Sequence, residues 1–233
     1  MAQQIGRNPV PRRSYHVFLS FRGEDTRHGF TDHLYAKLKQ RGVITFMDNQ
    51  GLKKGQSIST ELLRAIEESL FSVVVLSQNY ASSTWCLDEL NKIVESRRLY
   101  GRGIFPVFYG VDPSHVRHQR GKFAEAFIKH EERFGDDQDK IRRWRDALTE
   151  VANLSGWESK DRDEGELIES IVEGVWKNLR PQLPSLVDTL NVIDSNIQEI
   201  DGIVRESLEN FYRPKQNDPD RQPTKCCCFS IRL

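Results

Sequence analysis

Cysteine is scarce in this chain and poorly placed for structural work. Of the four, Cys86 stands alone and Cys226, Cys227 and Cys228 are consecutive. Consecutive cysteines cannot make the spaced framework of a disulfide-stapled secreted fold. With neither CxxC spacing nor paired histidines they make no zinc site either. Charge of one sign is not in excess: 34 Lys+Arg balance 34 Asp+Glu. A nucleic-acid-binding chain usually carries a basic excess or stripe, so no specific nucleic-acid partner is expected. No stretch approaches the ~18 apolar residues of a membrane helix, and Met1 to Arg13 holds no apolar run of secretory-signal length. A cytoplasmic location is therefore expected. Three chemical signatures are missing as well. Gly121-Lys122 supplies the end of a phosphate loop, but Val116 stands where its first glycine belongs. There is no GxSxG elbow and no HExxH pair. Kinase, ATPase, α/β-hydrolase and zinc-protease readings lose their main supports, and no metal and no prosthetic cofactor are expected.

What is present has a clear order. The 37% hydrophobic content suffices for a core, and 233 residues leave room for one domain plus an appendage. Four short apolar runs read as strands: Val17–Leu19, Val43–Phe46, Val73–Leu76 and Ile104–Phe108. They are continuous rather than alternating, as strands covered by helices on both faces are. Between them lie helical stripes: Phe30, Leu34, Leu38; then Ile58, Leu62, Ile66, Leu70; then Leu87, Leu90, Val94. Further helices are predicted at about 121–133, 138–153 and 164–180, with a short fifth strand in Leu154–Glu158. Strand alternating with helix gives an α/β fold around a parallel sheet with right-handed crossovers. Five strands of this kind usually take the flavodoxin-like order 2-1-3-4-5, with helices on both faces. Ligands then bind outside the carboxyl ends of the strands, at the switch between strands one and three. That singles out Phe21–Arg27, Asp48–Ile58 and Ser77–Glu89.

The expected division is a flexible N-terminus over 1–13, the α/β domain over 14–180, a helical tail over 181–212 and a disordered tail over 213–233. In the helical tail, Leu186, Leu190, Ile193, Ile197, Ile200, Val204, Leu208 and Phe211 follow steps close to a heptad seam. Self-zipping, docking to a partner helix and folding back on the domain are all open. Arg213 to Thr224 is polar and carries three prolines, which fits a spacer.

Two segments could carry chemistry. Ser20-Phe21-Arg22-Gly23-Glu24-Asp25-Thr26-Arg27 leaves a strand and enters a helix. Its arginines and the free amides of the helix start suit a nucleotide's phosphates; a turn whose charges simply pair with one another is the alternative. In Ser82-Ser83-Thr84-Trp85-Cys86-Leu87-Asp88-Glu89-Leu90, a hydroxyl cap starts a helix that places Trp85, Cys86 and Glu89 on one side. Glu89 there is either a functional acid or a solvated carboxylate near a helix N-terminus.

Taken with Leu52-Lys53-Lys54-Gly55-Gln56-Ser57-Ile58, Pro106-Val107-Phe108-Tyr109, Val111-Asp112-Pro113-Ser114 and Trp144-Arg145-Asp146-Ala147-Leu148, these strings resemble a plant-type TIR domain. This is the Toll/interleukin-1 receptor and resistance-protein module, and the resemblance covers about residues 14 to 180. One departure is His16, where the family usually has an acid. The resemblance implies an enzyme that cleaves NAD+, and often NADP+, at the nicotinamide–ribose bond to give ADP-ribose products used as signals in plant innate immunity and cell death. It implies Glu89 as the catalytic acid and Arg22, Gly23, Glu24, Asp25, Thr26, Arg27, Ile58 and Trp85 as nucleotide contacts, with NAD+ as substrate. It also implies homotypic TIR–TIR self-association through Asp32, His33 and Gly156, and contact with other TIR-containing immune receptors. A non-catalytic TIR adaptor is the alternative from another class; a response-regulator module lacks the acidic pocket it would need. No switch domain or leucine-rich repeat follows in this sequence, so a TIR-only protein is expected. Cys226, Cys227 and Cys228 on a flexible tether are candidates for S-acylation and so for membrane attachment; unmodified thiols are the alternative.

Overall fold

The computed structural model of the chain describes residues 13–47, 60–183 and 197–208. Five parallel strands form one sheet: β1 (Tyr15–Phe21), β2 (Thr45–Met47), β3 (Ser69–Leu76), β4 (Gly103–Phe108) and β5 (Trp157–Glu158). Their order is β2-β1-β3-β4-β5, as expected. The centre is β3, whose eight residues Ser-Leu-Phe-Ser-Val-Val-Val-Leu are all buried. Flanked on both sides and covered on both faces, such a strand has no solvent side, so its sequence does not alternate.

Around the sheet run α1 (Gly23–Thr26), α2 (Asp32–Gln40), α3 (Thr60–Glu67), α4 (Thr84–Tyr100), α5 (Pro113–Arg117), α6 (Lys122–Phe134), α7 (Gln138–Ala152) and α8 (Glu164–Leu179). On one face Phe18, Val74, Leu76, Ile104 and Phe108 join Leu62, Leu87, Leu90, Phe123, Phe127, Trp144 and Leu148 in a single core. Strand alternation leaves Val17, Leu19, Val73, Val75 and Val107, all buried, for the other face. There α2 packs on α8, burying Leu34, Leu38, Ile171 and Val175. Lys37–Glu169 (2.6 Å) and Arg41–Glu173 (3.3 Å) also link these two helices. Exposed pairs of this kind are worth about 0–1 kcal/mol each, against about 1.5–3 kcal/mol for each large apolar side chain fully buried. The apolar faces hold the layers together.

Four sequence expectations shift. Leu70 continues a four-residue repeat but belongs to β3, because α3 ends at Glu67 and Ser69 Oγ bonds back to the Ala65 carbonyl (2.7 Å). Val43 and Ile44 precede β2 rather than opening it. The Ile44 amide donates to Nδ1 of His16 (3.0 Å), and Ile44 is 53% exposed. His16, a departure from the family pattern, thus ties the start of the edge strand. The stripe Phe30, Leu34, Leu38 is buried as predicted, but a kinked wide turn at Arg27–Thr31, irregular at His28 and Gly29, separates Phe30 from α2. The fifth strand covers only Trp157–Glu158. Just before it, a Cβ on Gly156 would lie 2.3 Å from the carbonyl oxygen of Pro106. That approach of β4 is reason enough for a glycine.

Contacts divide the chain into two units between Gln182 and Leu183. In the second, residues 197–208 are helical and expose Ile197, Ile200, Ile203, Val204 and Leu208. The rest of the heptad-like segment from 184 to 196 and from 209, the spacer and Cys226–Cys228 lie outside the described residues. No described helix is long and apolar enough to cross a membrane.

Gly156→Ala is expected to cost about 1–3 kcal/mol from overpacking against backbone, a fall of about 2–10 °C in Tm. Thermal denaturation checks this; an unchanged Tm would mean that β5 can move off β4 freely. His130 gives a pH test. Its Nε2–H donates to the Ala81 carbonyl (2.8 Å) from a buried position, and burial lowers its pKa below the ordinary 6.5. As pH falls below 6.5 the unfolded chain therefore takes the proton first, so this contribution to stability is present above that value and lost beneath it. Acidification from about pH 7.5 to 5.5 should lower Tm less in His130→Gln than in the parent. Equal losses would remove His130 from the acid response.

Candidate active site

The carboxyl ends of β1 and β3 lie side by side, with Ser20 opposite Val74 and Phe21 opposite Val75. From there the chain leaves β1 through α1 towards α2, and leaves β3 through the tight turn Tyr80–Ser82 into α4 on the other face. The two exits diverge, the topology at which a ligand crevice is expected. Ser83 caps α4, its side chain accepting from the Cys86 amide (3.3 Å). That start places Trp85 half-buried in the first turn, Cys86 inward and Glu89 one turn on.

Glu89 is half-buried and held from beneath. Ser20 Oγ donates to its Oε2 (3.0 Å), and the Tyr80 hydroxyl lies 2.8 Å from the same Ser20 oxygen. Tyr80 also donates to the Cys86 carbonyl (3.1 Å), and the Cys86 thiol to the Phe21 carbonyl (3.6 Å). Burial, with the thiol and the Glu89 carboxylate nearby, pushes the Tyr80 hydroxyl well above its ordinary range. Burial and then the Glu89 charge push the Cys86 thiol up to about 12. Both groups therefore stay protonated at neutral pH. Cys86 is a buried core residue rather than a nucleophile.

The segment after β1 is largely engaged with itself and with the β3 exit. Asp25 accepts from Ser77 Oγ (2.6 Å), the Asn79 amide (3.1 Å) and Asn79 Nδ2 (3.3 Å), and Arg22 Nε approaches it at 3.5 Å. Arg22 also pairs with Glu24. Thr26 receives a hydrogen bond from Thr31 (2.8 Å). The Arg27 guanidinium sits 4.9 Å over the Phe21 ring, and a Cβ on Gly23 would come within 3.2 Å of Arg27 Nε. Asp25 thus ties the two exits together. Ile58 lies outside the described residues.

The other sequence-derived residues lie elsewhere. Asp32 opens α2 within 3.9 Å of His28 Nδ1, and His33 stands 3.5 Å from Glu164 of α8. His33, Ala36, Lys37 and Ile168 line a recess of about 560 Å³ between α2 and α8. A second recess of about 570 Å³ lies by Arg41, Trp176 and Arg180. Neither is lined by Glu89, whose candidacy rests on the hydroxyl network and its place on α4 beside the switch point of the sheet. Among the described residues no group of three His, Cys, Asp or Glu side chains could hold a metal ion. Four residues matter here that lie in the segments picked out from the sequence but were given no role there: Ser20, Tyr80, Ser77 and Asn79. The available signal was a serine inside the apolar run Val17-Phe18-Leu19-Ser20-Phe21.

Comparison with known proteins agrees with this geometry. The family profile described as "TIR domain" matches residues 14–194. The disease resistance protein RPV1 of Vitis rotundifolia is 52% identical over 203 residues, 86% of this chain and 14% of that protein. TMV resistance protein N of Nicotiana glutinosa is 46% identical over 194 residues, 83% of this chain and 17% of that protein. The chain thus spans about one seventh of the length of the curated relatives it matches. Among solved structures, the TIR domains of the activated Roq1 resistosome are 53% identical and superpose with a TM-score of 0.64, covering 70% of this chain and 99% of that one. The chain belongs to the TIR domain family.

Proposed function

We propose that this domain cleaves NAD+, and NADP+ as a related substrate, at the nicotinamide–ribose bond, with Glu89 as the catalytic carboxylate. The observation that carries the reading is Glu89 itself: an acid on the second turn of α4, held by Ser20 at the β1–β3 switch point. The reaction suits a lone carboxylate. Ordinary glycosidases use one acid to protonate a poor leaving group and a second carboxylate at the sugar. In NAD+ the leaving group is already a cationic pyridinium. The C–N bond breaks, its electron pair stays on nitrogen, and nicotinamide departs neutral. The positive charge that develops on the ribose needs an anion beside it, which Glu89 supplies. Water, or an oxygen or nitrogen of the same nucleotide, then bonds to the ribose carbon and loses its proton, giving ADP-ribose or a cyclic form.

Trp85 on the same helix side offers a ring for the nucleotide, and Arg22, Gly23, Glu24, Asp25, Thr26, Arg27 and Ile58 complete the proposed binding segments. The resistance proteins among its relatives support a role for the domain in plant innate immune signalling. Self-association through the α2/α8 side, with Asp32 and His33, and through Gly156 is part of the same proposal. The recess beside His33 favours docking on that side, the property a non-catalytic adaptor would share. The two readings separate on Glu89. With purified protein and NAD+, Glu89→Ala should lower nicotinamide release by about 100-fold or more while the melting temperature holds. Undiminished turnover in that variant leaves only the docking role.

The cytoplasmic placement, with membrane attachment through acylated Cys226, Cys227 and Cys228, also belongs to the proposal. Two or more acyl chains anchor stably where one does not. Replacing all three cysteines by serine should move the protein from the membrane fraction to the soluble one. An identical distribution of parent and variant removes the acylation.

A further inference from the structure

We infer that Ser20 and Tyr80 form a buried hydroxyl pair that positions Glu89 for the cleavage proposed above, an inference that rests on that reading of the site. Both residues are fully buried. They come from segments 60 residues apart and meet at 2.8 Å under the Glu89 carboxylate. Tyr80 sits within the main apolar core, and Ser20 is the last residue but one of an apolar strand. A hydroxyl is costly to bury unless it is partnered, and a small apolar residue at 20 with phenylalanine at 80 would fill much the same space. The sheet does not need either oxygen, since side-chain hydroxyls take no part in its ladder. The carboxylate does.

The hydrogens fix the direction of the pair. Ser20 has one, and it goes to Oε2 of Glu89 at 3.0 Å. Towards Tyr80 the serine oxygen must then accept. The tyrosine hydrogen has two acceptors within reach, Ser20 Oγ at 2.8 Å and the Cys86 carbonyl at 3.1 Å. Because burial keeps the phenol protonated, Tyr80 remains a donor. The chain Tyr80 to Ser20 to Glu89 therefore aims two hydroxyl dipoles at one carboxylate oxygen. The Cys86 carbonyl, in the first turn of α4, shares that one hydrogen and ties the phenol to the helix that carries Glu89. Rotation of the carboxylate is restrained from two directions, through β1 and through α4's own start. Ser20 and Tyr80 touch no reacting atom in this account; they are positioning residues.

The test uses the purified full chain and NAD+, with nicotinamide release for kcat and KM and thermal melting for each protein. Glu89→Ala, Ser20→Ala, Ser20→Thr and Tyr80→Phe are compared with the parent. Ser20→Ala should lower kcat about tenfold or more, the loss of a hydrogen bond to a charged group, with KM changed less than about twofold. Ser20→Thr keeps the hydroxyl and should retain more kcat than Ser20→Ala, although its extra methyl crowds a fully buried site. A merely structural serine gives the opposite order, since threonine disturbs the packing more than alanine. Tyr80→Phe removes only an oxygen and should lower kcat by a smaller factor at a melting temperature close to the parent's. It decides the matter if Ser20→Thr does not fold. Parent-like kcat in both Ser20→Ala and Tyr80→Phe, with Glu89→Ala inactive, overturns this inference and leaves the proposed function standing. Turnover in Glu89→Ala equal to the parent's overturns the proposed function and this inference with it.

Discussion

The pairing of β1 with β3 is the constraint on which the rest of the molecule depends. Parallel neighbours cannot be joined by a hairpin, so each strand must leave the sheet through a crossover. Here β1 leaves towards α2 on one face and β3 towards α4 on the other, with β2 sent to the far side of β1. Two adjacent strand ends with diverging exits cannot be capped by a single helix. A crevice is expected there from connectivity, and the side chains at the strand ends are whatever the register of β1 and β3 puts there. At the last residues of β1 the register puts Ser20 and Phe21, with Val74 and Val75 beside them.

At that switch point two carboxylates are treated differently. Asp25 accepts from three donors of the β3 exit and lies beside Arg22, so its charge closes the two loops onto each other. Three hydrogen bonds from one loop and a guanidinium from the other hold the group in place. Glu89 stands on a helix and meets the hydroxyl of a strand serine backed by a core tyrosine. The first arrangement is a brace and the second a mount. Proximity in sequence would not separate them, since both acids lie in strongly polar strings. The identity of their donors does.

That contrast shows what could be read from the sequence and what could not. Continuous apolar runs marked β1, β3 and β4 because burial on both faces leaves a signal in every residue. Helices α6, α7 and α8 were legible from periodicity, and the cap at Ser83 from residue type. Leu70 was ambiguous in principle, since a leucine four residues after Ile66 suits a helix and one before Val73 suits a strand; pairing with β1 and β4 decides it. The edge strand was set by a side chain, His16, bonding a backbone amide 28 residues away. Helix α5 had a signal in Asp112-Pro113-Ser114, a capping acid before a proline at the first helical position. Glu89 was accessible through its position in a helix start. Its support was not, because Ser20 and Tyr80 become neighbours only when the sheet register and the Tyr80–Ser82 turn are both formed.

The same layering bears on how assembly and chemistry can coexist in one small domain. Glu89 and its hydroxyls belong to the face covered by α4, while His33, Lys37 and Glu169 belong to the face covered by α2 and α8. The ion pairs across α2 and α8 are exposed, and each contributes little to the fold. Re-pairing them with a second copy therefore costs the domain almost nothing, whereas the buried apolar contacts beneath them stay intact. The hydroxyls under Glu89 allow no such exchange, because they lie in a core packed at near-crystalline density. An assembly built on the α2/α8 side can thus alter what surrounds the crevice without altering the support of its carboxylate. In the proposed enzyme, self-association would then act on access and substrate binding, and the geometry of Glu89 would remain a property of the single chain.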